Sequence, residues 1–72
     1  MFEDFIDKKL TLYLMSNPTD TYVMTGKIIK SNEISTTIEI EERKKFGEMK
    51  TYQRTINNRY ITFADYIEEK KN

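Results

Sequence analysis

Neither cysteine nor histidine occurs in the chain. Without cysteine there is no disulfide framework and no thiolate zinc site. Without histidine the usual general base, the usual metal ligand and the pH switch near neutrality are gone together. Any metal would have to sit on carboxylates or carbonyls, a hard-cation chemistry. Glycine is scarce: Gly26 and Gly47 are the only two, and they stand too far apart to cradle a phosphate. Net charge is absent as well, because 12 basic and 12 acidic side chains cancel. A dedicated nucleic-acid binder usually carries a basic excess, so the balance argues against that class. No apolar run approaches the length of a membrane span, and the opening MFEDFIDKK is acidic where a signal peptide would be basic. These absences predict a soluble, cytoplasmic protein that uses no cofactor, no metal and no membrane.

What is present fits one small domain. A chain of 72 residues buries a thin core, so its stability margin is small unless it is stapled or oligomerises. Lys, Ile, Asn, Glu and Thr are abundant, as in proteins coded by AT-rich bacterial or phage genomes.

Phe2, Phe5 and Ile6 fall at helical spacing and predict a short N-terminal helix with one apolar face. So short a helix must dock, either as a lid on the core or as an apolar foot for a partner. Leu10, Leu12 and Leu14 then alternate with Thr11, Tyr13 and Met15, a strand with a strongly apolar face. SNPTDT interrupts it, with Asn17-Pro18 as a turn signal and Asp20 extending the loop. A second strand is predicted over 22–31, with Tyr22, Met24, Gly26 and Ile28 on one face. Glycine weakens a strand interior unless the backbone bends there or is closely approached. A curved barrel strand needs such a position, so Gly26 reads as a bend; close approach of a ligand is the functional alternative.

After a polar turn at Ser31-Asn32-Glu33, Ile34, Thr36, Ile38 and Ile40 alternate against Ser35, Thr37, Glu39 and Glu41. This is the clearest half-buried strand in the chain. ERKKFGEMK reads as an exposed hairpin loop. A three-residue loop around Gly47 would set Ile38 opposite Ile56 and Ile34 opposite Tyr60. Phe46 at its tip is either a partner anchor or a ring folded back on the sheet. Two readings compete for TYQRTINNRYITF. Asn57-Asn58 turns sharply between two short strands, or one strand runs through to Phe63 and breaks at Ala64-Asp65. Thr62 to Asp65 also matches a capping box, with Phe63, Tyr66 and Ile67 on a helical face, so a C-terminal helical turn is predicted. A charged, frayed tail from Glu68 to Asn72 ends the chain. Short antiparallel strands in so small a domain predict a mainly β fold, a closed or nearly closed five-stranded barrel; closure would also remove exposed edges.

The pattern resembles the Sm-like family, the SH3-type small barrels that include the bacterial Hfq proteins. Gly26, Ile28, Asn32 and Thr36 stand at the offsets of the family's first motif. Ile56-Asn57-Asn58-Arg59-Tyr60-Ile61 has the spacing of its Ile-x-Gly-x-x-Ile motif, with Asn58 at the glycine. FEDFIDKKLTLYL resembles its N-terminal helix and first strand. The likeness runs from Phe2 to Ile67 on degenerate positions. It implies a small barrel and a habit of pairing strand edges into rings. The family's RNA pocket draws on a stacking group, an asparagine and an arginine. Those positions here hold Ile34, Thr36 and Asn57, which neither stack like an aromatic nor carry charge.

Acidic neighbours such as Glu3-Asp4, Glu39-Glu41-Glu42 and Glu68-Glu69 lie in charged, solvated contexts. Nothing there would drive their pKa values apart for acid–base work, so no enzyme is expected. The expected role is a non-catalytic binding or regulatory module of bacterial, phage or mobile-element origin, acting through protein contacts and self-assembly along strand edges. The alternative is an RNA- or DNA-binding regulator. Its contact residues would be Lys50, Tyr52, Arg54, Arg59 and Tyr60, with Phe46 a further partner contact; pairing of these cations with Glu41, Glu42 and Glu48 is the ordinary competing explanation. A third reading is an inhibitor of a host enzyme that presents Glu39, Glu41 and Glu42 as an acidic mimic.

Overall fold

The computed structural model describes residues 1–17 and 19–68; Pro18 of the expected turn and most of the expected charged tail lie outside the described residues. Five strands form a single antiparallel sheet: β1 (Lys9–Asn17), β2 (Asp20–Ser31), β3 (Ser35–Arg43), β4 (Met49–Asn57) and β5 (Ile61–Tyr66). Their spatial order is β4-β3-β2-β1-β5, so β4 and β5 are the two edges. Three single-turn 3-10 helices punctuate the chain at Glu3–Phe5, Lys45–Gly47 and Asn58–Tyr60.

One face of the sheet makes the core. Leu10, Leu12 and Leu14 of β1, Ile28 of β2, Ile38 of β3 and Ile56 of β4 are buried together. Phe2 and Phe5 pack on this cluster from the N-terminal turn, as the expected lid, while Ile6 is exposed. A 3-10 turn repeats every three residues, so the i and i+3 side chains align and the i+4 one does not.

β2 serves two neighbours in succession. Its residues from Asp20 to Lys27 pair with β1, and those from Lys27 to Ser31 pair with β3. Lys27 is the handover, and Gly26 stands beside it facing the core with Leu10. A Cβ at Gly26 would collide with the carbonyl oxygen of Glu39 and lie 2.9 Å from Ile38 Cγ1. Backbone, not open space, fills that spot.

Several expectations are corrected. The loop foreseen over SNPTDT is much shorter, because β1 continues to Asn17 and Asp20 already pairs with it. Ile34 lies before β3 and is 70% exposed. It is held out because Asn32 Oδ1 accepts from the Ile34 and Ser35 amides, both at 2.8 Å, which closes the turn around it. The β3–β4 register is displaced by two residues: Thr36 faces Ile56 and Ile38 faces Arg54. The cause is a longer loop. Arg43 pairs with Met49, and Phe46 (φ 72°) and Gly47 (φ 79°) both turn left-handed.

At the C-terminal end the break falls at Asn58–Tyr60, and in place of the expected helical turn Phe63 and Tyr66 lie in β5, with Ile67 just beyond it. The Thr62 hydroxyl, foreseen as a helix cap, donates to the Tyr13 carbonyl at 3.0 Å. The Ile67 amide extends the pairing by donating to the Lys9 carbonyl at 3.0 Å.

Candidate functional site

The expected contact residues are brought together only in part. Lys50, Tyr52 and Arg54 alternate along β4 and point to one face, opposite Glu42, Ile40 and Ile38. This is the core-side face, but β4 is the sheet's edge, so Lys50 and Arg54 reach solvent. The Arg54 guanidinium lies over the Tyr52 ring, 5.9 Å from its centroid, and Arg59 lies over Tyr60 at 5.6 Å. Both are within cation–π range. Arg54 and Tyr60 share the wall of an open cleft of about 620 Å³ with Leu14, Tyr22, Met24 and Ile56. Phe46 stands apart from all of these, fully exposed at the hairpin tip.

The competing explanation for these cations is salt bridging to Glu41, Glu42 or Glu48. Among the described residues the one ion pair within 4.0 Å joins the N-terminal ammonium to Glu3. Among the described residues Lys50 and Arg54 on the β4 edge, and Arg59 in the turn after it, therefore have no ion-pair partner within 4.0 Å. The opposite edge has the opposite sign: β5 holds Asp65 and is followed by Glu68, with no Lys or Arg from Ile61 to Glu68. The acids Glu39, Glu41 and Glu42 do not form one surface. Glu39 and Glu41 face away from the core, whereas Glu42 shares the other face with Lys50.

Asn58 carries a role that the sequence reading did not assign. It is buried, as is Thr36. The Phe2 amide donates to Ser31 Oγ at 3.0 Å, and Ser31 Oγ lies 2.9 Å from Thr36 Oγ1. Thr36 donates to Asn58 Oδ1 at 2.6 Å, and Asn58 Nδ2 donates to the Asn32 carbonyl at 2.7 Å. Because Thr36 gives its proton to Asn58, it must accept from Ser31. Every link thus has a fixed direction, and the β2–β3 turn is bonded to the β4–β5 connection. Asn57 caps that connection, accepting the Arg59 amide at 3.1 Å. The Asn57-Asn58 pair signalled the turn, but nothing in a one-dimensional pattern reveals that the second asparagine faces inward.

On the far face, Val23, Tyr13 and Phe63 form a row across β2, β1 and β5. The Tyr13 and Phe63 rings stack with centroids 5.5 Å apart. Tyr13 donates its hydroxyl proton to Asp65 Oδ2 at 3.1 Å, and this hydrogen bond to a carboxylate raises the tyrosine pKa. The bond from the N-terminal ammonium lowers the Glu3 pKa. Neither perturbed group lies in the cleft. Among the described residues no group of three or more acids could hold a metal ion, and no helix is long and apolar enough to cross a membrane. Comparison with protein-family models, curated proteins and solved structures gives no match to this chain.

Proposed function

We propose that this protein is a non-catalytic module that assembles with copies of itself, β4 of one copy pairing with β5 of the next. The observation that carries this is the opposite charge of the two free edges. An unpaired edge exposes a row of amides and carbonyls that will accept another strand. Lys50 and Arg54 on β4 repel a second β4, and Asp65 with Glu68 beyond β5 repels a second β5. The heterologous pairing is left as the attractive one. Head-to-tail contacts of that kind build rings when the rotation closes and filaments when it does not.

We read the five-stranded sheet as an SH3- or Sm-type barrel. The strand order β4-β3-β2-β1-β5, the handover within β2 at Lys27 and the single helical turn between β4 and β5 support this reading. Ring formation through backbone edges needs none of the family's RNA-contact residues, which are altered here at Ile34, Thr36 and Asn57.

A second reading, a nucleic-acid regulator, is favoured by the cations Lys50 and Arg54 flanking Tyr52 on β4, neither of them ion-paired within 4.0 Å. One experiment addresses both. Size-exclusion chromatography with light scattering at micromolar concentration should give a mass several times that of the 8.7 kDa chain. A monomer there sinks the assembly reading. Adding oligo-U, oligo-A or duplex DNA at low salt should leave the profile unchanged. A salt-sensitive shift would favour the regulator instead.

A further inference from the structure

The β3–β4 hairpin outruns the rest of the sheet. Pairing between β2 and β3 ends at Lys27 and Glu39, but the β3–β4 ladder continues to Arg43 and Met49. Residues 41–51 are exposed throughout. A two-stranded ribbon left in solvent gains little for the fold itself, because such ribbons are marginal in water. Its far end is ordered by chemistry of its own. The Lys44 amide donates to the Glu48 carbonyl at 2.8 Å and closes the loop.

At the apex sits Phe46, fully exposed and at φ 72°. A left-handed conformation is unfavourable for a bulky residue and is occupied at little cost by glycine or asparagine. An aromatic side chain held there against local preference points to a use outside the fold. Met49, also exposed, lies just behind it. Arg43, Lys44 and Lys45 lie beside these two apolar groups in the chain, with Glu48 as the one acid among them. Further back, Glu42 and Lys50 face each other, and Glu41 adds a second acid. The ribbon is therefore graded along its length: apolar tip, cationic collar, acidic base.

We infer that this hairpin tip docks end-on to an anionic lipid surface, Phe46 and Met49 entering the interface and the cationic collar meeting the headgroups. The gradation decides between surfaces. A duplex groove would receive the ribbon lengthwise and bring Glu41 and Glu42 against phosphates. A bilayer meets only the tip, and Glu41 and Glu42 stay clear of it. The absence of a spanning run bears on crossing a membrane, not on touching one. Aromatic and cationic groups together are what interfacial binding uses.

The test is co-sedimentation of the full chain with vesicles of phosphatidylcholine alone or with about 30% phosphatidylserine, at millimolar lipid because one short apolar tip binds weakly. Binding is expected only with phosphatidylserine and should weaken as salt rises. The Phe46→Gly variant relieves the left-handed backbone and so keeps the fold. It should bind at least about tenfold more weakly, the loss expected for one large apolar side chain. The Phe46→Trp variant carries the chain's sole tryptophan, whose emission should shift to the blue on the same vesicles. Equal binding to both vesicle types, unchanged binding by Phe46→Gly, no binding at low salt, or displacement from the vesicles by duplex DNA each overturns the proposal. It does not depend on edge assembly, which the light-scattering measurement reads separately.

Discussion

At the scale of single residues, Gly26 shows why a side chain can matter by being absent. The backbone of β3 comes so close to Gly26 that a methyl group would meet the Glu39 carbonyl oxygen. Backbone atoms cannot rotate out of the way as a side-chain terminus can. Gly26→Ala should therefore act as overpacking, with a cost of about 1–3 kcal/mol. In a domain this small that corresponds to a fall in melting temperature of roughly 4 °C or more, read by circular dichroism. An unchanged melting temperature would mean that β2 and β3 separate without penalty, and that the bend is not fixed by this contact. The glycine was visible in the sequence as an anomaly in an alternating strand. What approached it was not, because β3 returns over β2 only in three dimensions.

At the scale of elements, alternation carried most of the fold. Leu10, Leu12 and Leu14 announced β1, and Thr36, Ile38 and Ile40 announced β3, because period-two burial is written directly into sequence order. Errors gathered at the connections. The β3–β4 register was missed by two residues since a slip of two leaves every side chain on its own face, and the apolar pattern cannot detect it. Ile34 continues the apolar alternation in sequence, but the Asn32 side chain closes a turn around it and β3 starts only after it. Of the candidate site, the β4 strip of Lys50, Tyr52 and Arg54 was legible from spacing alone. The edge position that exposes it, and the acidic edge across the sheet, depended on strand order. The hydrogen-bond relay was illegible because Ser31, Thr36 and Asn58 belong to different strands and connections. Removing one hydroxyl from it is a clean test. Thr36→Val keeps the shape of a fully buried side chain (0% exposed) but removes the acceptor of the Ser31 hydroxyl and the donor to Asn58 Oδ1. A cost of about 1–3 kcal/mol is expected. In urea unfolding the midpoint should fall with little change in slope. No change in midpoint would show that the relay is dispensable to the link between the two connections.

At the scale of the molecule, the sheet's problem is that it has two edges and a thin core. The core-side face is covered by Phe2 and Phe5 at one end. It stays open toward the cleft where Arg54 and Tyr60 meet Leu14 and Met24. Adding a strand to β4 would occupy backbone groups on that side and extend the core at no cost in new sequence. Charge sets the direction of growth, so charge reversal should control it. Reversing β4 alone, with Lys50→Glu and Arg54→Glu, makes both edges acidic and should drive the protein to monomer. Reversing β5 alone, with Asp65→Lys and Glu68→Lys, makes both edges basic and should do the same. Combining the four restores opposite signs and should restore the mass seen by light scattering. Exposed pairs are individually weak, typically under about 1 kcal/mol. The effect must therefore come from several charges acting along one seam, and it should fade as salt rises past the point where the Debye length falls below about 8 Å. If the single-edge reversals assemble as well as the starting protein, backbone pairing is indifferent to charge and the edges are not matched. If the combined variant stays monomeric while the starting protein assembles, Lys50, Arg54, Asp65 and Glu68 act through contacts other than with one another.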